Sequence, residues 1–124
     1  MKIPSVIKKR VKSFGYAYKG LACVFRTQPN MQIHLVLFLL AIFMGFFFNI
    51  AAIEWVAIIV VSGLVFAMET LNTAIEKYLD KHHPEKDKTT GHIKDLSAAA
   101  VLITAIAALI TGLIIFLPEI FALL

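Results

Sequence analysis

Three long apolar runs, separated by short polar stretches, dominate the 124-residue chain. The first, 31–50, is interrupted only by Gln32, His34 and the closing Asn49. The second runs from Ile53 or Glu54 to Asp80, and the third from Lys94 to Phe116, where Pro118 predicts its stop. A hydrocarbon core roughly 30 Å thick takes about 20 helical residues, so 31–50, 54–80 and 94–116 each predict a spanning helix. Trp55 falls where an interfacial aromatic belt would lie. The first run begins late and is too aromatic near its end for a cleavage site, which favours a retained helix over a signal peptide.

Ahead of the spans, Ile7, Val11, Phe14, Tyr18, Leu21 and Phe25 recur at spacings of four and three, with Lys8, Lys9, Lys12 and Lys19 off that stripe. The pattern predicts an amphipathic helix over about 4–27. A short coiled coil has the same spacing, but the adjoining span favours a helix lying in the membrane interface, basic face toward anionic headgroups. Pro29 predicts the turn into the membrane. Residues 81–93, with Pro84 and Gly91 as breakers, predict a polar loop. On the third span Ala100, Thr104, Ala108 and Gly112 form a small-residue ridge suited to helix packing, and Ser97, Thr104 and Thr111 read as part of that packing. The fold class is therefore an all-α membrane protein of one domain, 1–124: a surface helix and three transmembrane helices.

Composition agrees. Hydrophobic residues make up 60% and charged residues 16%, with mean hydropathy +0.84, which excludes ordinary soluble and disordered classes. The net charge of +4 could suggest nucleic acid, but its distribution argues against that. Lys2, Lys8, Lys9, Arg10, Lys12, Lys19 and Arg26 precede the first span, and Lys77, Lys81, Lys86, Lys88 and Lys94 lie between the second and third. The remaining connection and the tail carry none. By the positive-inside rule the N-terminus and the 81–93 loop face the cytoplasm and the C-terminus faces outward. Cys23 stands alone, so no intrachain disulfide or thiolate zinc cluster is possible.

The second span holds residues that hydrocarbon does not welcome. Glu69, Asn72, Glu76 and Asp80 fall within an arc of roughly 80° on a helix, and Thr73 joins them. An ionised group at the bilayer centre costs roughly 2.5–3.5 kcal/mol even on insertion scales. Counted from Trp55 at a rise of about 1.5 Å per residue, Glu69 lies about 21 Å in and Glu76 about 32 Å in, near the cytoplasmic headgroups. Lys94 and Asp95 open the third span at the same level. A lipid hydroxyl could there meet a water-soluble cosubstrate, and carboxylates can share a magnesium ion with nucleotide phosphates. No GxxxxGK[ST] loop, GxGxxG or soluble-kinase signature is present. From the residues alone the result is a polar site at the inner interface.

The stretch Glu69-Thr70-Leu71-Asn72-Thr73-Ala74-Ile75-Glu76, then Asp80, and later Lys94-Asp95 followed by Ala98-Ala99-Ala100-Val101-Leu102, resembles the bacterial integral-membrane diacylglycerol kinase family and its signature E-x-x-N-[ST]-A-I-E-x-x-x-D. Phe14-Gly15-Tyr16-Ala17-Tyr18-Lys19-Gly20-Leu21 is similar to its surface-helix pattern, and the match covers nearly the whole chain. The resemblance implies a homotrimer with sites shared between subunits and transfer of the γ-phosphate of MgATP to a lipid hydroxyl. It implies Glu69 as catalytic base, Glu76 as metal-binding carboxylate and Lys94 as γ-phosphate contact. Asp95, Asn72 and Asp80 are polar support, and Tyr16 is a nucleotide-side position. The family's second metal-binding glutamate, before the first span, is here Gln28, and no acid precedes Glu54. That departure predicts weaker magnesium binding with activity kept.

The family includes diacylglycerol and undecaprenol kinases. Diacylglycerol is the leading substrate, while Phe25-Arg26-Thr27 and Asn30-Met31-Gln32-Ile33-His34 are similar to the branch in which undecaprenol kinases occur. Two other classes compete. A proton or ion pathway would place polar groups through the whole thickness, yet the outer halves of the spans are nearly pure hydrocarbon. A non-catalytic scaffold, with the stripe fixing helix register, leaves Glu69 unexplained at its depth. Asp80 and Asp95 singly are also ordinary helix-end acids. His82, His83 and His92 read as solvated loop residues, and His34 as a headgroup contact.

Overall fold

A computed structural model describes residues 4–124, and Lys2 of the basic N-terminal segment lies outside them. The described chain is four helices in sequence: α1 Ser5–Thr27, α2 Pro29–Phe47, α3 Ala52–His82 and α4 Lys88–Leu123. The last three are each long and apolar enough to cross a membrane. A single extended residue, Gln28, separates α1 from α2. Pro29 then opens α2 at its first position, where proline's missing N–H removes no helical bond.

Local chemistry explains where each helix ends. Asn49 adopts φ 50°, and the Ile50 and Asn49 N–H groups donate to the carbonyls of Gly45 and Phe46. This Schellman closure ends α2 at Phe47, short of the expected residue 50. The Glu54 carboxylate then accepts from the Ala51 N–H at 2.8 Å and starts α3 two residues before the expected 54.

The larger differences are in α4. It begins at Lys88, not Lys94, because Asp87 caps it: its Oδ1 accepts from the Thr90 N–H at 2.6 Å. Gly91 is therefore helical rather than a breaker, and the 81–93 loop shrinks to 83–87. Nor does Pro118 stop the helix, which continues to Leu123. One missing N–H forfeits one bond, and the apolar turns on either side sustain the rest.

Helix α3 is the central element, packing most extensively on α4 and also on α2 and the end of α1. The α3–α4 seam has a seven-residue rhythm: Ile58, Val65, Asn72 and Leu79 are buried along α3. Across from them Thr90 and Ser97 are buried, and Thr104 and Thr111 half-buried, along α4. Such spacing is that of left-handed helix pairing, and small hydroxyl residues let the backbones approach. At the end away from the 83–87 loop, Ile50, Ile58, Ile115 and Phe116 form the apolar core with Met44, Phe48 and Trp55. Trp55 belongs to this packing: its ring lies so close over Gly45 that a Cβ there would sit 2.6 Å from the indole. The outward faces of the three long helices stay apolar and exposed, as at Phe43, Leu64 and Ile114.

Candidate functional site

The polar stripe of α3 lies toward the 83–87 loop, where α1, α2 and α4 meet it. Glu69, one turn below Asn72 and Thr73, is 2% exposed. Its Oε2 has no hydrogen-bond partner, the one such buried side-chain atom among the described residues. The Thr73 hydroxyl donates to the Glu69 backbone carbonyl and so does not satisfy the carboxylate. Asn72 is buried against α4, where the Ser97 hydroxyl donates to its Oδ1 at 2.6 Å. Two turns nearer the loop from Glu69, Glu76 is half-buried on the same face. Asp80 and Lys94 close the stripe with an ion pair of 2.6 Å. At 66% and 38% side-chain exposure this pair contributes little to stability and leaves the ammonium within reach of an anion.

Glu69, Asn72, Glu76, Asp80 and Lys94 thus come together as one strip across α3 and α4. Asp95 is exposed and makes no ion pair among the described residues. Tyr16 is 68% exposed on α1, with the Lys19 ammonium 6.0 Å from the centre of its ring. Gln28 sits at the α1–α2 corner, its amide donating to the Thr27 hydroxyl at 3.3 Å. The C-terminal turns of α1 reach α3 beside the strip: Phe25 meets Phe66 edge-on, and the Lys77 ammonium lies 3.5 Å from Cys23 Sγ. Among the described residues no three of His, Cys, Asp and Glu gather as a metal cage.

One neighbour of the strip stands in the sequence only as an interruption of the first apolar run. His34 is half-buried on α2. The edge-on pair Phe38–Phe66 sets the antiparallel register that brings it level with Glu69. The available signal is its helical position, three to four residues before Leu37 and Phe38, on the face that packs against α3. His34 also borders an open, almost wholly apolar groove of about 470 Å³ between α2, α3 and α4, lined by Phe38, Met44, Val65, Ala108 and Gly112. His82 and His83 are exposed near the loop and His92 is exposed on α4, in keeping with solvated residues.

A buried acid and amide with a half-buried cation, at one end of an otherwise hydrocarbon bundle, define a membrane protein with a polar site near one interface. Residues 15–116 match the prokaryotic diacylglycerol kinase family, and the chain belongs to that family of lipid kinases. It is 38% identical over 112 residues to an undecaprenol kinase of Bacillus subtilis, covering 87% of this chain and 88% of that one. It is 35% identical over 105 residues to a diacylglycerol kinase of Escherichia coli K12, covering 85% of this chain and 86% of that one. A diacylglycerol kinase of Synechocystis is 35% identical over 113 residues, covering 90% of this chain but 65% of that longer one.

Proposed function

We propose that this protein transfers the γ-phosphate of MgATP to the primary hydroxyl of a membrane lipid, with diacylglycerol as the leading acceptor and phosphatidic acid as product. The observation that carries the reading is Glu69, a buried carboxylate with an unpartnered oxygen on the same helical strip as Glu76, Asp80 and Lys94. In this mechanism Glu69 Oε2 accepts the proton of the lipid hydroxyl as its oxygen attacks the γ-phosphorus. A new oxygen–phosphorus bond forms, the β–γ bridging bond breaks, and ADP leaves with the bridging oxygen. The Lys94 ammonium, which Asp80 holds at the mouth of the strip, meets the phosphoryl oxygens and offsets their charge. Asn72 and Asp95 orient polar groups around it, and Tyr16 flanks the nucleotide from α1.

The donor set suits a magnesium ion held by few protein oxygens. Magnesium commonly takes one or two carboxylates, with substrate phosphates and water completing its shell. Glu76 would supply the carboxylate and Gln28 at most a neutral oxygen. When bound, the ion neutralises phosphate charge. The protein sits in the bacterial cytoplasmic membrane with its N-terminus and the 83–87 loop cytoplasmic and its C-terminus outside. A homotrimer shields the strip and covers apolar faces that one chain leaves open.

A second acceptor, undecaprenol, is favoured by the 38% identity to the Bacillus undecaprenol kinase. The deciding experiment is transfer of labelled γ-phosphate from MgATP in mixed micelles to both lipids side by side, with Glu69→Gln as control. Labelled lipid phosphate from one acceptor, absent in the variant, is expected. Equal turnover in Glu69→Gln would remove Glu69 from the mechanism. A polar pathway instead of a kinase would give ion flux in vesicles and no lipid phosphate.

A further inference from the structure

We infer that Ser97 is a positioning residue for the transfer site, holding the Asn72 carboxamide with its NH₂ group turned to donate to a phosphoryl oxygen. The inference rests on the kinase reading above. A carboxamide can turn either end to a site: its oxygen serves a cation or a hydroxyl, its NH₂ group an anion. Asn72 lies on the strip between Glu69 and Glu76, where both kinds of ligand are expected, so its orientation decides its chemistry.

The hydrogen bond to Ser97 is made with the amide turned one way. Both residues are buried, and the Ser97 hydroxyl donates its single proton to Asn72 Oδ1 at 2.6 Å across the α3–α4 seam. Six other helical hydroxyls behave differently. Ser13, Thr27, Thr70, Thr73, Thr104 and Thr111 all donate into their own helix, to a carbonyl one turn back. A serine in a helix has that acceptor to hand, yet Ser97 reaches across to the other helix. With Oδ1 engaged, Asn72 Nδ2 has no acceptor among the described residues and keeps its N–H bonds for a ligand. Ser97 belongs to the seven-residue series Thr90, Ser97, Thr104 and Thr111, whose close packing any small residue would serve. Packing does not explain the donated proton.

The test is Ser97→Ala, which removes only the hydroxyl, beside Ser97→Thr, which restores it, in the micelle assay with Glu69→Gln as control. Ser97→Ala is expected to lower kcat about tenfold, the effect of orphaning one buried acceptor, with KM for the lipid unchanged and most of the loss recovered in Ser97→Thr. The ¹³C resonance of the Asn72 side-chain carbonyl should move upfield in Ser97→Ala, as expected when an accepted hydrogen bond is lost. Wild-type kcat in Ser97→Ala overturns the inference, as does a lowered thermal midpoint with kcat intact. Both results are read in a preparation whose parent turns over and whose Glu69→Gln does not. A parent that phosphorylates no lipid alcohol marks the failure of the kinase reading instead. In that case an unmoved Asn72 resonance still overturns the orientation assigned here.

Discussion

An oxygen without a hydrogen-bond partner inside packed helices is costly to keep, and Glu69 keeps one. The carboxamide of glutamine has nearly the same shape and cannot take a proton at neutral pH. Glu69→Gln should therefore preserve folding while lowering lipid phosphorylation by about 10²–10⁴-fold, the usual worth of a positioned base. Labelled-phosphate transfer and a thermal melt of the same preparation check it; a melt that collapses with the activity would assign Glu69 to structure. At Gln28, a neutral oxygen stands where the family usually has a second acid. Gln28→Glu should lower the magnesium concentration giving half-maximal turnover, read from a Mg²⁺ titration at saturating ATP. An unchanged titration would mean that this corner takes no part in metal binding.

Two elements owe their geometry to single contacts. The start of α4 depends on Asp87, whose carboxyl is held below the usual carboxylate range, chiefly by the Thr90 backbone N–H it accepts from and then by the Thr90 hydroxyl. A depressed folded-state value means that the cap's contribution is fully present above the unfolded value, about 3.9. It is lost as pH falls through the folded value. Asp87→Ala should thus lower the thermal midpoint in detergent at pH 7, with the gap from the parent closing as pH is brought well below about 4. A gap that persists in acid would show that the ionised cap is not its source. At the other end of the bundle, Gly45 gives the Trp55 ring its place on α2. Gly45→Ala forces the indole or the helix to shift, at a cost of about 1–3 kcal/mol. The thermal midpoint should fall, and Trp55→Phe, with its smaller ring, should recover part of the loss when the two are combined.

At the scale of the molecule, one chain leaves much of its apolar surface uncovered, and along its polar strip Glu76 is half-buried and Asp80 exposed. Ionisable groups at such depth are kept from lipid by neighbouring helices, and three spans enclose little interior. The expected assembly is three 13.8-kDa chains, to be read by sedimentation in density-matched detergent with labelled-phosphate turnover measured on the same fraction. Active monomer would show that the strip is complete within one chain. The exposed stripe of α1, Phe14 and Tyr18 among it, has no cover among the described residues. The membrane interface or a neighbouring chain remains to cover it.

Much of this was written in the local pattern. Length and hydropathy set three spans, because a bilayer demands about 20 apolar residues from any helix that crosses it. Period alone placed Glu69, Asn72 and Glu76 on one face, because 3.6 residues per turn leaves no other choice. The helix ends were legible only in part. Asp87 with Thr90 three residues on is a capping pair readable in retrospect, whereas Pro118 is a stop signal that strong flanking turns override. What lies between helices was not in the pattern. The register of α2 on α3 brings His34 level with Glu69, and the α3–α4 seam puts Ser97, 25 residues along the chain, against Asn72. Periodicity tells a residue which face it occupies but not which residue of another helix will face it. That choice is made by how the helices pack, and here it separates a packing serine from one that orients an amide.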